Sequence, residues 1–272
     1  MFRKDLLHII RPTRDERLAY ATGVEERGVI LSGAAHSPSG ETYRIGHGYL
    51  DLMRGKIGAH NPANLTNFLP GAGRLYEPLW RVRSLTLLTG ERFPNEREVE
   101  IVASLAGIER GGLYLDLGCS AGLYTRHLQR VLGDSGAVVG IDIAPTMLRE
   151  AARRARCLGV TPSFARADMH HLPFADASFA GAVCGGTLNE AGDPARALRE
   201  TRRVLAPGAR LAIMGILRSA TARGRRLQRL LSTGGLKFFH PDELNSLLDH
   251  AGFDADSLQT YSPVFFAGAT RR

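Results

Sequence analysis

A chain of 272 residues fits one large domain, or one domain with an appendage, and 44% hydrophobic content with 31 glycines fits an α/β protein. No stretch approaches the roughly 18 uninterrupted apolar residues of a membrane span, and the opening "MFRKDLLHIIRPTRDER" is too charged for a secretory signal, so the cytoplasm is the expected location. Cys119, Cys157 and Cys184 are too few and too scattered for a disulfide framework or a cysteine-held zinc, whereas a formal charge of +8 leaves anionic partners open.

In chain order, residues 1–95 read as an accessory or substrate-capping region. "GVILSGAAHSPSGETYRIGHGYLDLM" predicts short strands joined by Pro/Gly/Ser turns. "GKIGAHNPANLTNFLPGAGRLYEPLW" follows as a loop-rich and then aromatic stretch. In it Tyr76 and Trp80 stand one helical turn apart, spaced to stack over a cofactor or an aromatic substrate. From residue 96 to 272 strands and helices alternate. "EREVEIVASLAGI" predicts a helix, "GLYLDLG" a strand, "AGLYTRHLQRVL" a helix and "GAVVGIDI" a strand. "APTMLREAARRARCLG" is a helix opened by Pro145, and "PSFARAD" and "FAGAVCG" are strands either side of "MHHLPFADAS". "DPARALRETRRVLAP" is a helix stopped by Pro207-Gly208, "RLAIMGIL" a strand, "HPDELNSLLDHAGF" a helix and "PVFFAGAT" a closing strand. The alternation implies a Rossmann-like, doubly wound, mostly parallel sheet with helices on both faces, and a ligand at the carboxyl ends of its strands.

"YLDLGCSAGLYT", residues 114–125, is the turn most informative about that ligand. A phosphate-cradling Walker loop needs a lysine that this turn lacks, and Gly118-Cys119-Ser120-Ala121-Gly122 does not match Gly-x-Gly-x-x-Gly. Asp116 just before the turn would repel a pyrophosphate but tolerate a cation. Asp142 ends the second strand of the alternating part, where a carboxylate can accept both hydroxyls of a ribose. Asp168 ends the third, placed for an adenine amino group. An amino acid joined through a sulfonium to adenosine satisfies all three positions.

At these residues the chain resembles a known family. "YLDLGCSAGLYT", "VVGIDIAPTMLREA", "ARADMHHLPFADASFAGAVCGGTLNE" and "ALRETRRVLAPGARLAIMGIL" look like the successive motifs of class I S-adenosylmethionine-dependent methyltransferases. The similarity is closest to the branch of ubiquinone/menaquinone-type C-methyltransferases and small-molecule enzymes. It implies a seven-stranded sheet and S-adenosyl-L-methionine as cofactor. Asp116, Gly118, Cys119, Ser120 and Gly122 would form the first motif, and Asp142 would bind the ribose with Ile143 and Met147 beside the adenine. Asp168 and the backbone of Met169 would read the adenine edge, and Gly185 and Leu188 would line the floor. The family commonly has glycine where Ser120 stands, and Asn189-Glu190 replace the His-His often found after the fourth strand.

Methyl transfer from a sulfonium is an in-line displacement in which positioning supplies most of the catalysis, and a base helps only when the nucleophile holds a proton of high pKa. Glu190, His171 and His240 are the candidate bases. The N-terminal part also resembles the ribbon module of ribosomal-RNA guanine methyltransferases, but without its cysteines. His36, His47 and His60 are spaced too irregularly to replace them, so no metal is expected. The arginine clusters at 153–156 and 223–229 read first as solvated helix faces. The leading expectation is methylation of a small, apolar or aromatic molecule. The alternatives are an RNA methyltransferase and an inactive cofactor-binding partner protein.

Overall fold

The runs at 112–117, 136–142 and 179–185 are largely apolar on both faces, and this is what a parallel interior strand requires. In the computed structural model, which describes residues 2–53, 68, 74 and 82–272, these strands lie at the centre of one mixed sheet. The N-terminal part supplies β1 (Phe2–Arg3), β2 (Tyr20–Glu26), β3 (Val29–His36), β4 (Thr42–Gly46) and β5 (Tyr49–Asp51), then helix α1 (Val82–Thr89). After it come α2 (Asn95–Ala106), β6 (Gly112–Leu117), α3 (Leu123–Leu132), β7 (Gly136–Asp142), α4 (Pro145–Cys157), β8 (Ser163–Arg166) and β9 (Phe179–Gly185). The chain continues through a single helical turn α5 (Thr187–Glu190), α6 (Pro194–Val204), β10 (Leu205–Ile216), α7 (Ala222–Ser232), α8 (Pro241–His250), β11 (Phe253–Tyr261) and β12 (Val264–Arg271).

The expected seven-stranded unit is β8-β7-β6-β9-β10-β12-β11. Strands β8, β7, β6, β9 and β10 run parallel, β12 pairs antiparallel with β10, and β11 pairs antiparallel with β12 and so runs in the direction of the others. The order reverses at β6, where the next strands in sequence leave in opposite directions. A crevice opens there, beyond the strands' carboxyl ends. Alternate side chains of β6 enter opposite cores: Leu115 and Leu117 pack on one face and Tyr114 on the other. Neighbouring β7 divides Val139 and Ile141 from Val138 in the same way.

The N-terminal strands continue this sheet. Parallel pairing of Leu50 with Ala165 and Asp51 with Arg166 joins β5 to β8, and Phe2, Ile10, Ile30 and Ile45 share a hydrophobic cluster with Leu115 and Val139. His36 is held by ring stacking on Tyr20 and by contacts to the Thr22 and Thr42 hydroxyls. Among the described residues no group of three His, Cys, Asp or Glu is arranged to hold a metal ion, and no helix is long and apolar enough to cross a membrane. Tyr76 and Trp80 lie outside the described residues.

Candidate functional site

Four parallel strands, β6 to β9, end in turns with residues that face the crevice. The turn after β6 is built from a left-handed backbone. Gly118 has φ +68°, and a Cβ there would lie 2.2 Å from Thr187 Oγ1 on α5. Only glycine lets the two turns approach so closely. Ser120 is itself left-handed, at φ 49°, a conformation costly for a residue with a Cβ and natural for glycine.

Asp142 closes this turn against the next one. One carboxylate oxygen accepts the Ser120 N–H at 2.8 Å and the other accepts the Ala144 N–H at 2.8 Å, just ahead of Pro145 in α4. A carboxylate offers about four acceptor sites, so capacity remains for a ligand hydroxyl. Burial pushes Asp142 above the ordinary carboxylate range, and the backbone N–H groups of Ala144 and Ser120 oppose that shift.

The crevice is lined by Gly118, Ser120, Asp142 and Ile143 from the first two turns, Asp168, Met169 and His170 after β8, and Gly185, Thr187, Glu190 and Ala191 after β9. Ile141 and Ala167 complete its wall. Gly185 leaves bare backbone at the floor, because a Cβ there would lie 2.5 Å from the Tyr124 ring. Asp168 accepts from the His170 N–H at 2.9 Å, and His170 Nδ1 lies 2.7 Å from the same oxygen. Glu190 ends α5 at the crevice. Burial, followed by the negative charge of Asp142, pushes its carboxyl up to about 7.

Other expected residues lie behind this surface. Asp116 is buried and accepts the Thr125 hydroxyl at 2.5 Å, so it braces α3 against β6 from beneath. Gly122 opens α3 and packs on Ala151 of α4. Cys119 and Leu188 are buried packing residues, and Met147 supports the turn through its sulfur, which accepts the Ser120 hydroxyl at 3.6 Å. Burial raises the Cys119 thiol well above its usual range, so it is an inert neighbour.

Two of the three candidate bases are placed elsewhere. His171 is exposed beside Arg196 on a separate cleft that also carries Arg14 and Arg199. His240 is the exposed N-cap of α8. Glu190 is the candidate base that faces the crevice. Sequence reasoning passed over His170 and Thr187. The adjacent histidines gave no sign of which one turns inward, and the signal at Thr187 was only its place after the paired glycines Gly185-Gly186.

The donors and walls fit an adenosine bearing a charged amino-acid tail. Asp142 keeps acceptor capacity that ribose hydroxyls could use, Ile143 and Met169 could supply apolar faces, and bare glycine backbone leaves room for a chain. The comparisons agree with that fit. Residues 115–213 match a family model described as a methyltransferase domain. The ubiquinone/menaquinone biosynthesis C-methyltransferase UbiE of Haemophilus ducreyi is 30% identical over 174 residues, 55% of this chain and 67% of that protein. The 2-phytyl-1,4-naphtoquinone methyltransferase of Trichormus variabilis is 34% identical over 132 residues, 48% of this chain and 58% of that protein. Thus the chain spans about three fifths to two thirds of the length of these relatives. Among solved structures, a methyltransferase from Methanosarcina mazei is 26% identical with a TM-score of 0.50, covering 58% of this chain and 92% of that one. The geranyl diphosphate C-methyltransferase of Streptomyces coelicolor, solved with S-adenosyl-L-homocysteine, has a TM-score of 0.58 at 13% identity over 65% of this chain and 76% of that one, a likeness of fold.

Proposed function

This chain belongs to the class I S-adenosylmethionine-dependent methyltransferases, with S-adenosyl-L-methionine as its cofactor, and from that premise we propose that it methylates a small, uncharged, apolar or aromatic molecule. The charge of the crevice carries this reading. Asp142, Asp168 and Glu190 line it, and no arginine or lysine does so among the described residues. A polyanion approaching the crevice would be repelled by the Glu190 carboxylate and by those of Asp142 and Asp168 behind it, whereas a neutral molecule would not. One of these relatives is named for ubiquinone/menaquinone biosynthesis and the other as a 2-phytyl-1,4-naphtoquinone methyltransferase, and this supports the same class here.

S-adenosylmethionine supplies the electrophilic methyl group. The protein's part is to hold the acceptor in line and to take up the proton that the acceptor loses. Glu190 suits the second task. Its carboxyl, raised to about 7, is matched to proton transfer near neutrality. Asp142 would bind the ribose, and Asp168 with His170 would set the adenine end.

The test joins binding to turnover. Calorimetry should show S-adenosyl-L-homocysteine bound, with Asp142→Ala weakening it by about 1.5–3 kcal/mol, the worth of hydrogen bonds to a charged group. Labelled methyl should then pass to members of a quinol and phenol panel and not to RNA. Labelling of RNA with none of the panel would overturn the substrate reading.

A further inference from the structure

Helix α7 leaves a large part of its surface without a partner among the described residues. Its one buried residue is Gln228, whose side chain accepts the Ser219 N–H at 2.8 Å and donates to Leu217 O at 2.8 Å. That fixes the side of the helix that faces the protein. Leu227, Leu230 and Leu231, at the i, i+3, i+4 spacing of one stripe, are 57%, 67% and 41% exposed. Arg225, Arg226 and Arg229 occupy the neighbouring stripe, and Arg223, four residues before Leu227, stands at the N-terminal head of the leucine stripe. The helix contains no acidic residue. None of its four arginines has a carboxylate partner among the described residues.

We infer that α7 is an interfacial helix that docks the protein on an anionic lipid surface. An apolar stripe beside a cationic one is the pattern of a helix lying in the plane of a headgroup layer, with leucines inserted and guanidiniums on phosphates. Its length favours lying flat. Eleven residues rise only about 16 Å, half the hydrocarbon thickness of a bilayer. Both charge and apolarity argue for this occupant. An RNA strand would use the arginines and leave the leucine stripe in water, whereas a neutral protein groove would use the leucines and leave four cations without counter-charge.

The attachment of α7 couples docking to the crevice. The segment bearing it leaves the carboxyl end of β10 and returns to pair Leu217 with Phe239, so its two ends meet. Asn189 clamps that base. It accepts the Ile216 N–H at 3.0 Å and the Lys237 N–H at 2.7 Å, and donates to Ile216 O at 2.9 Å and Lys237 O at 2.6 Å. Asn189 is the residue before Glu190, on the same turn of helix that lines the crevice. A surface engaged by α7 therefore lies at the carboxyl end of the sheet, the end where the crevice opens. This inference does not depend on the identity of the substrate.

Sedimentation with vesicles tests it, using the full chain and comparing pure phosphatidylcholine with phosphatidylcholine containing phosphatidylglycerol. The wild-type protein should pellet with the anionic vesicles and be released by high salt. The triple change Arg225→Glu, Arg226→Glu, Arg229→Glu should weaken partitioning on the order of 100-fold. The triple change Leu227→Ser, Leu230→Ser, Leu231→Ser should weaken it at least roughly tenfold. Unchanged circular dichroism and S-adenosyl-L-homocysteine affinity would show both variants folded. The inference is overturned if the wild type ignores anionic vesicles, or if the leucine variant binds them as well as the wild type. It is equally overturned if the chain binds an RNA hairpin through the arginines, indifferent to the leucine changes, and shows no vesicle binding.

Discussion

At the scale of single residues, the crevice is governed by where carboxylates are buried. Glu190 titrates near 7 when folded, against an ordinary value of 4.5. Its neutral form is the one that folding favours. That stability is complete below about pH 4.5 and is lost as pH rises through about 7. Glu190→Gln should therefore melt higher than the wild type in alkaline buffer, and the advantage should vanish in acid. Melting curves across that range check it; a parallel offset at every pH would refute it. The same ionisation should favour a bound cation. Affinity for S-adenosylmethionine relative to S-adenosylhomocysteine, which lacks the sulfonium charge, should rise through neutral pH in the wild type and stay flat in Glu190→Gln. Asp168 and His170, adjacent to each other in the crevice, are held together by two contacts and leave His171 turned outward. Consecutive side chains in an extended turn diverge, so neighbouring histidines with the same sequence credentials received opposite surroundings.

At the scale of elements, the turn after β6 and the helical turn α5 form one unit. Gly118→Ala would place a Cβ against the Thr187 side chain and force an L-residue to φ +68°. The conformational part alone costs about 1 kcal/mol or more, and the clash adds to it. We expect a loss of about 2–4 kcal/mol in denaturant unfolding, with weakened cofactor binding. Pairing it with Thr187→Gly should recover the steric part and leave the backbone part. Full recovery, or none, would show that the two turns are not in contact. Helix α4 illustrates the same economy of parts: Asp142 satisfies a backbone N–H at the start of that helix while anchoring the preceding turn.

Across the whole molecule, the N-terminal strands and the methyltransferase sheet are continuous. Arg166 on β8 donates to Ile143 O at 3.0 Å in the crevice wall, and reaches Asp51 on β5 at 3.3 Å. An N-terminal acid thus helps position a loop beside the crevice. A fragment beginning at residue 96 would expose the edge of β8 and remove Phe2, Ile10, Ile30 and Ile45 from the shared core. Open edges and exposed cores aggregate. The fragment should pellet on expression while the full chain stays in solution. A monodisperse fragment that binds S-adenosyl-L-homocysteine would show instead that the two parts fold separately.

The sequence by itself determined the parallel strands, their order along the chain and the acids at their ends. Strands β6, β7 and β9 are largely buried on both faces, and such strands are written as mostly apolar runs. A ligand turn then announces itself as an abrupt change to small residues and acids, as in Asp116–Gly122 and at Asp142. Strand β11 had no such signature: most of Phe253–Tyr261 is exposed and polar, and its pairing with β12 is carried by backbone hydrogen bonds that any side chains permit. Only the tertiary structure decided which candidates reach the crevice. It brought Glu190, His170 and Thr187 there, left His171 and His240 at the surface, and put Asp116 beneath the turn. Residue type records what chemistry a side chain can do. Where it points depends on turn geometry and on packing between segments far apart in the chain, such as Gly118 against Thr187, and no local pattern encodes that.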